Sequence, residues 1–162
     1  MDFQRIVFGV NPRRTAIRVA VVVATAIVTF TWILIPVRAQ GISMLPTYDS
    51  GSLKLVSRVT YKVRAPRRGD VVAIRLAGPG VLYLKRIVGL PSERVAIREG
   101  VVHINENPLP EPYVRHRKPW EVDEATLGPR EYFVIGDNRG MLARDHDFGR
   151  VDTARIVGKV LF

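Results

Sequence analysis

The chain has 162 residues, with 25 Lys+Arg against 15 Asp+Glu, a formal net charge of +10, and no Cys. At this length one compact domain is expected. A hydrophobic fraction of 47% and a charged fraction of 25% exclude wholesale disorder, and the missing Cys excludes disulfides, thiolate zinc sites and a cysteine nucleophile. The charge points first to nucleic acid or an anionic membrane surface, and its placement along the chain decides between them.

Residues 19–37 read VAVVVATAIVTFTWILIPV, nineteen residues without a charge. That is enough to cross a hydrocarbon core as a helix. The only polar side chains are Thr25, Thr29 and Thr31, whose hydroxyls can bond back to their own helix. Trp32 lies near the outer end, where an indole suits the headgroup region. Arg5, Arg13, Arg14 and Arg18 precede the run against Asp2 alone, whereas Arg38 is the only charge at its exit. The positive-inside rule therefore predicts a cytoplasmic segment 1–18, a transmembrane signal anchor 19–37 and an extracytoplasmic domain 38–162. A cleavable signal peptide would have a shorter apolar core and a small-residue cleavage site, which Arg38-Ala39-Gln40-Gly41 matches poorly.

After Arg38 the texture changes to short Val- and Ile-rich runs bounded by turn residues. Strands are predicted over 52–56, 70–76, 81–88, 94–98, 101–105, 131–135 and 156–161. Turns are predicted at Gly78-Pro79-Gly80 and Leu90-Pro91-Ser92, and a tight hairpin across Glu99-Gly100. Residues 108–129, rich in proline and charge, read as an extended loop or insertion. No useful helical period appears. The expected fold is mainly β: one N-terminal transmembrane helix followed by a β-rich catalytic domain.

The charge outside the anchor region is scattered in singles and pairs, such as Arg67-Arg68, Lys85-Arg86 and Arg117-Lys118. Without interleaved aromatics for base stacking, nucleic acid becomes a weak second reading. His103, His116 and His146 show no paired-His or HExxH spacing, so no metal site is expected. A Ser-His-Asp arrangement stays open on counting alone, although no histidine lies in a setting that recommends it.

Three segments stand out: Gly41-Ile42-Ser43-Met44-Leu45-Pro46-Thr47, Tyr83-Leu84-Lys85-Arg86-Ile87-Val88-Gly89-Leu90-Pro91 and Gly136-Asp137-Asn138-Arg139. Alone, Ser43 reads as a turn hydroxyl and Lys85 as a solvent-facing strand position. Together, and in this order after an anchor and before Phe162, with Arg68-Gly69-Asp70-Val71-Val72 between the first two, they resemble the type I signal peptidases of family S26. That resemblance implies a membrane-tethered serine endopeptidase with a Ser/Lys dyad on a β-rich fold. It implies cleavage of N-terminal signal peptides of secreted preproteins outside the plasma (inner) membrane, with the lipid bilayer as partner and without a cofactor or nucleic acid; the oligomeric state is left open, a monomer being the expectation.

Carried over by position, Ser43 is the nucleophile and Lys85 the general base. A lysine can take the serine proton only when neutral, and its reference pKa of roughly 10.4 must fall through burial. The Ser43 backbone N–H is the expected oxyanion donor; some relatives add a serine side chain where this chain has Gly41. Met44 and Pro46 are expected beside the site, with Met44 equally an ordinary core residue. Asp137, Asn138 and Arg139 are expected near the site, Asp137 pairing with Arg139 to fix a loop. The family commonly places a serine that bonds the catalytic lysine shortly after Gly136-Asp137-Asn138-Arg139; here Leu142 or Ala143 occupies that place, so Lys85 needs another acceptor, such as a backbone carbonyl. Two alternatives within the resemblance are a specialised relative, such as a conjugative-pilin maturation or organelle inner-membrane peptidase, and an inactive homologue that binds signal sequences.

Overall fold

The structure is a computed structural model and describes residues 11–76 and 81–161. The expected turn at Gly78-Pro79-Gly80 and the arginine Arg5 lie outside the described residues. Asn11 caps an apolar helix Pro12–Val28, accepting from the Arg14 N–H, with Pro12 in the first turn. The helix continues as a wider π turn over Thr29–Ile33. Together Pro12–Ile33 spans 22 residues, with no residue of its most apolar window buried. It is long and apolar enough to cross a membrane. Thr25 returns its hydroxyl to the Val21 carbonyl at 2.8 Å, as expected of a threonine in an apolar helix.

The uncharged run does not stay helical to its end. Its last residues enter strand β1, Leu34–Arg38, which pairs with β2, Leu53–Ser57. Pro36 cannot continue a helix, and β1 is the edge strand of its sheet, the position where a proline costs least. Arg58 ties the two parts together: its N–H donates to the Ile33 carbonyl at 2.9 Å and its guanidinium to the Thr31 carbonyl at 2.9 Å.

The remaining strands are β3 Val71–Ile74, β4 Tyr83–Gly89, β5 Arg94–Arg98, β6 Val101–Ile104, β7 Asn107–Pro108, β8 Val122–Thr126, β9 Glu131–Ile135, β10 Gly149–Asp152 and β11 Ile156–Val160. They form an antiparallel seven-stranded sheet, β1-β2-β11-β3-β4-β9-β10, and a four-stranded one, β7-β6-β5-β8. The mainly-β expectation therefore holds, and all seven predicted strands are found with ends shifted by a residue or two. β3 is buried along its whole length. Val71 and Ala73 enter one apolar cluster with Ala39, Met44 and Leu84, and Val72 and Ile74 enter another with Ile87 and Val134. A strand covered on both faces has no polar alternation to show.

Residues 108–129 are more than a loop. β8 lies within them and pairs with β5, and Val114, Trp120 and Leu127 are buried there. Val122-Asp123-Glu124-Ala125-Thr126 carries little strand propensity, so its pairing with β5 and the anchoring of Trp120 decide its conformation. β1, β7 and β10 are likewise strands the pattern did not announce.

The β5–β6 hairpin turns on Glu99 and Gly100, both with positive φ (49° and 78°), the geometry of a two-residue I′ turn. A side chain at Gly100 would lie 2.2 Å from the Lys118 carbonyl, and Lys118 donates its N–H to the Arg139 carbonyl at 3.0 Å. Gly100→Ala should therefore destabilise the chain by about 1–3 kcal/mol. The check is the urea midpoint of the detergent-solubilised chain, and a wild-type midpoint would show that the turn tolerates a Cβ.

Candidate active site

Four adjacent residues after β9 hold three distant segments together. Gly136 supplies space: a Cβ there would stand 2.3 Å from the Ser43 carbonyl oxygen and 2.5 Å from His146 Cε1. Asp137 supplies charge. Its buried carboxylate accepts from Arg86 Nε at 2.8 Å and Arg86 Nη2 at 2.6 Å, and from the Thr47 hydroxyl. Asn138 grips the loop carrying Ser43: its N–H donates to the Ser43 carbonyl at 3.0 Å and its Nδ2 to the Ile42 carbonyl at 3.0 Å. Arg139 donates from Nε to the Gly136 carbonyl at 3.0 Å and pairs with buried Glu111.

The expected Asp137–Arg139 ion pair is thus replaced by two others. Asp137 takes Arg86, and Arg139 takes Glu111, because the turn sends the two side chains in different directions from Gly136. Both pairs are desolvated, with Arg139 1% and Asp137 1% exposed. Arg86 also lies over the Tyr113 ring, 4.0 Å from its centroid, which covers the guanidinium face a carboxylate cannot reach.

Lys85 precedes Arg86 on β4 and is 2% exposed. β4 and β9 pair Arg86 with Ile135 and Ile87 with Val134. Continuing that register by one residue sets Lys85 opposite Gly136, the glycine against which the Ser43 carbonyl packs. Cross-strand neighbours lie about 5 Å apart, so the Ser43 backbone and Lys85 both border Gly136. Burial brings the Lys85 ammonium down to about 8, against a weaker opposing pull from the Asp147 carboxylate. Among the described residues the Lys85 ammonium finds no hydrogen-bond acceptor, so the expected backbone carbonyl is not there.

Ser43 also borders a groove of about 500 Å³. Residues 35–41 form one wall and 81–84 the other, with Met44 and Tyr48 beside Ser43. Met44 is at once a core residue, 4% exposed, and a groove residue. Pro46 is exposed and lies outside the groove lining, in the loop beyond Met44. Among the described residues nothing accepts from the Ser43 N–H, whereas the Gly41 N–H is taken by the Ser50 hydroxyl at 3.2 Å.

Sequence reasoning passed over Arg86, Glu111, Thr47 and His146. Arg86 was legible beside Lys85, since a central strand rarely places an unpaired cation inside. Glu111 and His146 gave no local signal, because long-range pairing puts them at the site. Among the described residues no group of His, Asp and Glu is arranged to hold a metal.

A serine at a groove, a desolvated lysine on β4 and a loop after β9 that grips the serine segment are therefore gathered around Gly136. The family model "Signal peptidase, peptidase S26" matches residues 13–162. The signal peptidase I of Bacillus licheniformis is 35% identical over 159 residues, covering 91% of this chain and 84% of that one. That of Bacillus caldolyticus is 34% identical over 137 residues, covering 76% and 75%. A crystal structure of a signal peptidase I from Enterococcus faecalis matches with a TM-score of 0.47 at 29% identity, over 61% of this chain and 98% of that chain. The chain belongs to the S26 signal peptidase family, and it is a serine peptidase.

Gly136→Ala tests the close approach. Neither the Ser43 carbonyl nor His146 can retreat without moving the Ser43 loop, and misplacements near 1 Å at a reacting centre cost on the order of 100-fold. Peptidase kcat/KM should fall by about that factor while the far-UV spectrum stays native; a change below threefold would show the loop to be compliant.

Proposed function

We propose that the chain is a membrane-anchored serine endopeptidase that cleaves N-terminal signal peptides from exported preproteins, with Ser43 as nucleophile and Lys85 as general base. One observation carries the reading: a buried lysine lacking a carboxylate partner stands across β4 and β9 from the glycine that receives the Ser43 carbonyl. A lysine there has little structural use as a cation, since it is desolvated and forms no ion pair among the described residues. As a neutral amine it can take the Ser43 Oγ proton.

The chemistry follows from these groups. Ser43 Oγ attacks the scissile carbonyl as its proton passes to Lys85 Nζ. The Ser43 N–H, unused within the described protein, donates to the developing oxyanion. Collapse of the tetrahedral intermediate breaks the C–N bond, and Lys85 returns the proton to the leaving amine. Water, deprotonated by the neutral Lys85, then hydrolyses the ester. The groove suits an extended substrate laid beside β1, whose outer edge has no strand partner among the described residues. Arg13, Arg14 and Arg18 on the helix's amino-terminal part support a cytoplasmic N-terminus and a domain outside the plasma (inner) membrane.

The test is cleavage of a model preprotein by the full chain in detergent. Wild type should cut at the signal junction, and Ser43→Ala and Lys85→Ala should each lose at least about 1,000-fold in kcat. Full activity in Lys85→Ala would overturn the dyad. An inactive wild type would leave only signal-sequence binding, and selectivity for one preprotein in a panel would mark a specialised relative.

The pH profile gives a second check. The base works neutral, so kcat/KM should rise with pH and level off above about 8, the value to which burial brings Lys85. Asp147 favours the ammonium, so Asp147→Asn should move that limb to lower pH. A limb that stays put or moves up would show that Lys85 is not the titrating group.

A further inference from the structure

His146 is the buried ionisable group that the chemistry above does not use. The turn Ala143–Asp145 directs it inward, leaving it 5% exposed. Its ring meets Trp120 edge-on at 5.1 Å between centroids. On the other side it fills the space a Gly136 side chain would take, with Cε1 2.5 Å and Nε2 2.6 Å from a Cβ built there. The β4–β9 register, continued by one residue past Arg86 and Ile135, sets Lys85 across from Gly136. The ring therefore shares the space beside Gly136 with the Ser43 carbonyl, close enough to Lys85 to feel its charge.

Both ring nitrogens are buried without a hydrogen-bond partner among the described residues. A phenylalanine would pack on Trp120 equally well without leaving two polar atoms unsatisfied, so packing does not explain a histidine here. The charges that face it are the Lys85 ammonium on β4 and the Arg139 guanidinium after Gly136, and the backbones of Ser43 and Asp147 lie against it and favour its protonated form. Burial first, then the Lys85 charge, pushes its pKa down to about 4. At working pH it is a neutral imidazole, with one N–H and one acceptor nitrogen.

We propose that His146 is a positioning residue for Lys85: its acceptor nitrogen takes a hydrogen bond from Lys85 Nζ while its N–H turns to the Ser43 carbonyl. The inference rests on the Ser43–Lys85 reading and supplies the acceptor that the lysine lacks. The contacts are open in the free protein and close in the substrate complex, as hydrogen bonds of catalytic groups commonly do. Asp147, exposed at the next position, acts on the Lys85 charge from solvent and leaves orientation to the ring.

The experiment compares apolar replacements, His146→Phe and His146→Leu, with replacements that keep an acceptor, His146→Asn and His146→Gln. All are made in the full chain in detergent and assayed on the model preprotein beside Lys85→Ala. The apolar pair should lower kcat about 10- to 100-fold with KM within twofold. Their acidic limb should also move to lower pH, because the ammonium loses its acceptor. The acceptor pair should recover at least tenfold of that loss. Two variants on each side keep the comparison readable if one fails to fold, as judged by its melting temperature. Apolar variants with wild-type kcat and limb, while Lys85→Ala is dead, would overturn the role of His146 and leave the dyad standing. An active Lys85→Ala with dead His146 variants would overturn both, and would make the imidazole the base.

Discussion

The site depends on one buried ion pair, Arg86 with Asp137. Arg86 fixes the middle of β4, Asp137 fixes the loop after β9, and Thr47 brings the Ser43 loop to the same carboxylate. The pair is bidentate, and the Asp137 side chain has no exposed surface. Such a pair gains little net stability, because desolvating both charges offsets their attraction. Its value is geometric. Either partner left alone would be a bare buried charge, costing roughly 3–5 kcal/mol, so the three segments are held in one arrangement.

Arg86 and its neighbour Lys85 show the same desolvation used in two ways. The guanidinium cannot give up its proton, so it must receive a carboxylate and an aromatic face. The ammonium can, and it receives only the distant influence of Asp147. Burial lowers the Lys85 pKa from 10.5 to about 8. The cost of the charged form is on the order of 3 kcal/mol at pH values below both the folded and unfolded pKa, and it is relieved as pH rises from about 8 towards the unfolded value. Burying Lys85 is thus a local destabilisation, tolerable because Asp137, Arg139 and Glu111 pin the surrounding backbone.

How much of this was legible in the chain depends on the range of each signal. The hairpin at Glu99-Gly100 announced itself because a turn and two β-branched runs are local. β8 did not, because Asp123, Glu124 and Thr126 become a strand only against β5. Ser43 and Lys85 could be singled out because each sits in a distinctive short motif. The Asp137–Arg139 pairing was misread for the opposite reason: residues two apart looked like partners, while the true partners lie 51 and 28 positions away. His146 was invisible because its setting is made by Trp120, Gly136 and β4, which only the fold assembles.

The placement of the groove relative to the helix carries the last step. Ile33 ends the apolar helix and Ile35 already lines the groove wall. Two residues of extended chain reach no more than about 7 Å. On the proposed topology the groove therefore opens close to the level where the helix leaves the bilayer. A substrate whose own apolar segment spans the same membrane delivers its next extended residues to that level. β1, joined directly to the helix, holds the groove wall there through its pairing with β2. Tethering both partners to one plane replaces three-dimensional search by a local one, and the short Ile33–Ile35 link restricts the groove to chain just past a membrane segment. On the proposed reading, specificity for such substrates comes from the height of the groove as much as from its lining.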